Sequence, residues 1–373
     1  MFENSVKLFT LNKFDIRVDP SWLLIAALVT WSLSRQYFPD ALPEADPSVY
    51  LTLAVVAMLG LFASLLLHEL AHSVVARSLG VPIKSITLFL FGGVAELEAE
   101  PTSARAEFWI AIAGPVMSLC LSLGFWVLEF SVVWSGLPDT LAAVFAYLAL
   151  INLVLALFNL LPAFPLDGGR VLRAILATRM NYATATQQAA RIGQIIALVL
   201  GTLGVFTNIF LVFIALFVWI GAEAEANMAQ IKSVLGGITA GNAMLTDFHS
   251  LQPQDTLASV VELTISGSQK DFPVVQDGEV VGLLNQTDML AALTKSGPET
   301  PVAKVMQTDV KLADSHETLE AVLARLEEFG RRTMPVTHDG KLVGLITLDN
   351  IGEFILIQTA LTPTQTTPVS HRI

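Results

Sequence analysis

Six apolar runs, at residues 20–38, 49–76, 107–133, 141–161, 188–206 and 208–222, dominate the N-terminal part of this chain. Crossing the hydrocarbon core of a bilayer takes about 20 apolar residues of helix, and most of the runs meet that length. Backbone in hydrocarbon must close its own hydrogen bonds, so these runs are expected to be helices. Of the 373 residues, 53% are hydrophobic and only 14% charged, against about 25% charged in soluble domains. The expected fold is therefore an α-helical polytopic membrane bundle of about six spans. Its first run is short, and its last two are parted only by a Thr207-Asn208 turn.

The charged residues are unevenly placed. Lys7, Lys13 and Arg17 precede the first run, Arg77, Lys84 and Arg105 lie between the second and third, and Arg170, Arg173 and Arg179 follow the fourth. The opposite side carries Arg35 alone, with Asp40, Glu44, Asp46, Glu129 and Asp139. The positive-inside rule then puts both termini in the cytoplasm. A net charge of −12 with no basic patch argues against nucleic acid as a partner. The single cysteine, Cys120, excludes an intrachain disulfide and reads as a small core residue. No cleavable signal peptide is expected, because the first apolar run flows into a multi-span chain.

Between the second and third runs, Ile86-Thr87-Leu88-Phe89-Leu90-Phe91, a Gly92-Gly93 turn and the alternating stretch 94–100 read as one or two strands. Strands at this depth need shelter, so the segment is expected to be a small membrane-associated β element lining a cleft. After Gly236-Gly237 the chain changes to short strands and amphipathic helices with an internal repeat. Thr256-Leu257 recurs as Thr318-Leu319, Pro273-Val274 as Pro335-Val336, Asp277-Gly278 as Asp339-Gly340, and Val281-Gly282-Leu283 as Val343-Gly344-Leu345. Every pair keeps one spacing (335 − 273 = 62), the mark of a duplication without insertions. Each copy reads helix, strand, Asp-Gly turn, strand, helix. The expected division is a membrane domain over 1–235, repeat copies over 236–300 and 301–361, both α/β, and a disordered tail over 362–373.

Within the second apolar run stands His68-Glu69-Leu70-Ala71-His72. Of six histidines, only these two precede residue 249. Helix positions four apart are separated by about 40° around the axis, so both imidazoles can face one ion, while Glu69 lies about 100° from His68. That is the zinc-helix pattern H-E-x-x-H, in which the Glu serves as general base. Three ionisable groups inside a span are expensive unless they work or pair. A catalytic zinc site takes a third protein ligand and leaves a position open for water. With no further histidine in the membrane half, a carboxylate must serve. Asp167 is the best placed, at the end of the fourth run after Pro162 and Pro165. Gly168-Gly169 would allow unusual backbone angles there. A turn or N-cap aspartate at the water interface reads equally well from these residues. Gly114-Pro115 in the third run reads as a kink or a close helix contact.

These segments together resemble the site-2 protease family of intramembrane zinc metalloproteases, in the branch with C-terminal CBS domains. The likeness is carried by His68-Glu69-x-x-His72, Phe91-Gly92-Gly93, Ala113-Gly114-Pro115, and the set Asn159, Pro165 and Asp167-Gly168. It implies one zinc ion held by His68, His72 and Asp167, Glu69 as catalytic base, and Asn159 at the substrate carbonyl or developing oxyanion. The activity implied is regulated intramembrane proteolysis of transmembrane substrates near the cytoplasmic side. A substrate helix must unwind to be cut, and a strand around Leu88, Phe89, Gly92 and Gly93 is expected to receive it by strand addition.

The two repeat copies resemble a tandem CBS pair, modules that often bind adenosine nucleotides such as ATP or AMP. The implied nucleotide positions are Asn285 and Asp288 in the first copy and Thr347 and Asn350 in the second, each copy departing from the Thr/Ser-x-x-Asp pattern at one position. The pair is also a candidate homodimer surface. The alternative reading is a CBS-regulated metal transporter or channel, in which the histidines hold a transported ion; repeated membrane halves, frequent in transporters, are not seen here.

Overall fold

The computed structural model describes residues 5–11, 14–89, 92–97, 101 and 103–361. Leu90, Phe91, residues 98–100 and the tail from 362, on which some of the expectations above fall, lie outside them. Chain packing separates two units, residues 1–229 and 230–373.

The first unit opens with strands β1 (Val6–Leu11) and β2 (Phe14–Val18). Helix α1 (Ser21–Ser32) runs through a π-helical turn, Leu33–Tyr37, into the short α2 (Phe38–Ala41). The first expected span is thus a helical stretch in three pieces, not one unbroken α-helix. Helix α3 (Pro47–Ser78) follows, begun by Asp46, whose carboxylate accepts from Ser48 N at 2.8 Å, and by Pro47, whose fixed φ suits a first turn. Strands β3 (Ile83–Phe89) and β4 (Gly92–Leu97) lead to α4 (Ala104–Trp134), capped by Ser103. Then come α5 (Asp139–Asn159), α6 (Asp167–Ala177), α7 (Tyr182–Thr207) and α8 (Ile209–Leu235).

Five of these helices, α3, α4, α5, α7 and α8, are long and apolar enough to cross a membrane. Their outward faces carry large exposed apolar side chains such as Leu123, Phe130, Phe206 and Phe213, as lipid contact requires. Small residues bring the bundle together. A methyl group on Gly60 of α3 would stand 2.8 Å from Leu148 of α5. Fully buried Asn152 of α5 donates from Nδ2 to Ser64 Oγ of α3 at 3.0 Å.

The sheet is larger than its local pattern suggests. Its order is β1-β2-β3-β4, with β2 parallel and β4 antiparallel to β3. Alternate residues Phe14 and Ile16 of β2 and Ile86 and Leu88 of β3 pack on Leu66 of α3, with Trp22, Phe62 and Leu70 around them. One face is therefore covered by protein, which supplies the shelter that backbone polar groups need. Strand β3 is interior and paired on both sides, so Leu88 and Phe89 present no free edge; β4, carrying Gly92 and Gly93, lies at the border of the sheet.

The second unit holds the short α9 (Ala240–Ala243) and then the repeats. The first comprises α10 (Leu257–Ser266), β5 (Phe272–Gln276), β6 (Glu279–Leu284) and α11 (Gln286–Ser296). The second comprises β7 (Ala313–Asp314), α12 (Leu319–Glu328), β8 (Thr333–His338), β9 (Lys341–Thr347) and α13 (Leu348–Leu361). The Asp-Gly turns take φ 54° and 90° at Asp277 and Gly278, and 49° and 79° at Asp339 and Gly340, the left-handed pair that closes a tight hairpin. Each repeat has its own core: Leu257, Val260, Phe272, Val274 and Leu284 in one, and Leu319, Val322, Met334, Val336 and Ile346 in the other.

Candidate metal centre

Helix α3 presents Ser64, His68 and His72 along one stripe, and both imidazoles are buried, 3% and 9% exposed. Asp167 is the first residue of α6, where the positive end of the helix dipole favours a carboxylate. Its Oδ2 lies 3.2 Å from His68 Nε2 and 3.2 Å from His72 Nε2, and the two Nε2 atoms are 3.2 Å apart. The three groups form a cluster able to hold a metal ion. A tetrahedral zinc bonded at about 2.0–2.1 Å to nitrogen and oxygen sets its ligand atoms about 3.3–3.4 Å apart. The triangle therefore fits that ion.

The outer ring nitrogens are held as well. His72 Nδ1 lies 2.6 Å from the Ile110 carbonyl, which can only accept, so this nitrogen carries a proton, and in the neutral ring Nε2 is then the one with the lone pair a metal needs. His68 Nδ1 is 2.9 Å from Ser118 Oγ. Both partners sit on α4, with Gly114 midway between them on the same stripe. A Cβ on Gly114 would run into the Nε2 atoms of both histidines. The role of Gly114 is thus close approach of α4 to the imidazole pair. Ser118 and Ile110 escaped the sequence reading; the available signal was a hydroxyl four positions beyond Gly114 on one helical stripe.

Glu69 lies beside the cluster against β4. A Cβ on Gly93 would overlap the Glu69 side chain, with Cδ 2.8 Å and Oε1 3.0 Å away. Gly93 thus keeps room for the carboxylate between α3 and the sheet border. Gly168 and Gly169 do not take unusual backbone angles, contrary to expectation; both are helical residues of α6. Their lack of side chains lets α6 fold back on the preceding loop, where a Cβ on Gly169 would stand 2.6 Å from Phe164 N. Asn159 ends α5, and its Nδ2 donates to the Leu155 carbonyl of its own helix at 3.1 Å. It is not joined to the His–His–Asp cluster by any hydrogen bond among the described residues.

The four residues expected to meet a nucleotide in the second unit act as helix starts. Asn285 caps α11, accepting from Asp288 N at 2.7 Å, and Asp288 Oδ2 accepts from Asn285 Nδ2 at 3.0 Å and Gln307 Nε2 at 2.7 Å. Thr347 Oγ1 accepts from Asn350 N at 3.0 Å. The equivalent positions 271 and 333 meet directly, Thr333 donating to Asp271, and Asp349 pairs with Lys270 at 3.2 Å and Arg332 at 3.5 Å. The Lys270 hydrogen bond and charge hold the Asp349 carboxyl below the usual carboxylate range.

Two buried imidazoles and a partly buried carboxylate beside a glutamate, set among membrane-length helices, define a metallopeptidase-type centre. Comparisons with known proteins agree. The model for peptidase family M50 matches residues 56–142 and 135–201, and that for the CBS domain matches 240–295 and 302–356. The chain is 34% identical to Rip3 of Mycobacterium tuberculosis over 367 residues, 95% of this chain and 93% of that one. It is 32% identical to the zinc metalloprotease MJ0392 of Methanocaldococcus jannaschii over 78% of this chain and 82% of that one. Among solved structures, a site-2 protease from Methanocaldococcus jannaschii aligns at 35% identity over 60% of this chain and 95% of that chain, with a TM-score of 0.43. The chain belongs to peptidase family M50, as a zinc metalloprotease with a C-terminal pair of CBS domains.

Proposed function

We propose that this protein cuts transmembrane substrates within the membrane, near its cytoplasmic side, at a zinc ion held by His68, His72 and Asp167. The observation that carries this reading is the convergence of His68 Nε2, His72 Nε2 and Asp167 Oδ2 at 3.2 Å from one another. A zinc ion bound there supplies a Lewis acid for the scissile carbonyl and lowers the pKa of the attacking water. Glu69, given room beside the cluster by Gly93, would take a proton from the attacking water and return it to the leaving amine. Asn159 is the proposed donor to the substrate carbonyl or developing oxyanion, through the amide hydrogen not used on the Leu155 carbonyl.

A helical substrate has its carbonyls engaged and must be presented extended. The border strand β4 offers backbone groups for strand addition beside Glu69, so Gly92 and Gly93 form the substrate rail. Strand β3, with Leu88 and Phe89, backs the rail from inside the sheet. The asymmetry of basic residues supports a cytoplasmic position for both termini and the CBS pair. There an adenine nucleotide at Asn285/Asp288 or Thr347/Asn350 would regulate cleavage by binding two states of the pair unequally. The same pair is the proposed homodimer surface.

Purified protein in sealed vesicles with a transmembrane substrate tests these points together. Glu69→Gln should keep parental zinc content and lose cleavage by about 10²-fold or more, the usual scale of a lost general base. Cleavage at the parental rate by Glu69→Gln would remove the proposed mechanism. AMP added to the cytoplasmic face should change the parental rate, and AMP added to the other face should not. The opposite sidedness would reverse the orientation, and no response from either face would end the nucleotide reading.

A further inference from the structure

Arg173 of α6 is 7% exposed and held from four directions. Its Nε donates to Glu107 Oε1 at 2.6 Å, one terminal nitrogen meets the same oxygen at 2.5 Å, and the other donates to Glu225 Oε2 of α8 at 2.9 Å. The guanidinium also lies 4.9 Å from the ring centre of Phe164, in the loop before Asp167, and 4.8 Å from that of Tyr182, the first residue of α7. Glu107 is 5% exposed and sits one turn before Ile110 on α4. That same helix orients His72 through the Ile110 carbonyl and His68 through Ser118. Asp167 starts the helix that carries Arg173. One helix, α4, is therefore the common reference for all three donors of the metal centre.

We propose that Glu107 and Arg173 are positioning residues for the metal centre. Their ion pair fixes the helix that begins with Asp167 against the helix that orients both imidazoles, so the carboxylate arrives in register. The inference rests on the ligand set proposed above. The competing role is plain stability, and the physics of buried charge separates the two. Desolvation of a buried pair roughly cancels its attraction, and replacing both members by apolar residues of similar size is often neutral or stabilising. A pair kept for stability alone can be exchanged without consequence at the metal; a pair kept for register cannot.

The test is the full-length double variant Glu107→Met with Arg173→Met, compared with the parent, Arg173→Lys and Asp167→Ala. Thermal unfolding of the metal-free protein and zinc affinity by chelator competition are measured on each. The expected result is an unchanged or raised unfolding midpoint in the double variant with zinc affinity weakened about 10- to 100-fold, the range seen when groups supporting a ligand are removed. Arg173→Lys keeps the charge but not the fork that grips Glu107 and Glu225, and should fall between parent and double variant. Parental zinc affinity in a folded double variant overturns the proposal. If the double variant does not fold, parental affinity in Arg173→Lys overturns it instead. Parental zinc affinity in Asp167→Ala would overturn both this inference and the ligand set beneath it, whereas loss there with none in the double variant overturns the positioning role alone.

Discussion

Gly114 contributes no chemistry, yet it decides whether the two histidines can converge. A methyl group there would claim the space of both Nε2 atoms, and neither ring can retreat freely because Ile110 and Ser118 hold the opposite edges. Overpacking of this kind costs about 1–3 kcal/mol, and here the cost falls on the donors themselves. Gly114→Ala should keep its helical content and lose zinc affinity by about 10-fold or more, since 1.4 kcal/mol is a factor of ten. Chelator competition and circular dichroism check this, and parental affinity would show that α4 does not set the imidazole spacing. At the same scale, Ser118 and Asn152 illustrate how a lone polar residue in an apolar run finds a partner across a helix interface, at His68 and Ser64 respectively.

At the scale of elements, the sheet border is the part with the clearest consequence. A substrate strand laid against β4 would use the backbone groups of that strand that point away from β3. Proline placed in turn at Val94, Ala95 and Glu96 removes one N–H at a time. Positions whose N–H points outward should keep zinc and lose cleavage of a transmembrane substrate by about 10-fold or more, as one or two backbone hydrogen bonds to the substrate are lost. Cleavage unaffected at all three positions would dismiss β4 as the rail. The two histidines and Glu69 were readable in the sequence because one helix sets their geometry, and helix periodicity is a local property. Asp167 was readable only as one of two meanings, since its partners stand on another helix. The interior position of β3 was hidden: its parallel pairing with β2 joins segments on either side of α1 and α3, and no local pattern carries that. Helix α6 was missed for a similar reason. Its glycines looked like a flexible turn, and only the contacts with residues 160–164 explain why they are helical.

At the scale of the molecule, two units meet different demands from one chain. The membrane unit closes its backbone within helices and covers one face of its sheet, while the second unit builds two related cores from a duplicated pattern. The duplication was legible because spacing alone reveals it, although β7 in the second copy and α9 before the first were not. A nucleotide role was not separable from helix starting at Asn285, Asp288, Thr347 and Asn350, because Asn285 and Thr347 each cap a helix through the N–H of the residue three positions on. The account as a whole stands on the metal centre. Anomalous diffraction at the zinc edge from crystals of the zinc-loaded, full-length protein tests it most directly. The account predicts one strong peak within about 2.2 Å of His68 Nε2, His72 Nε2 and an Asp167 carboxylate oxygen. A peak bonded to other residues, or a zinc site with the Asp167 carboxylate turned away, would contradict it.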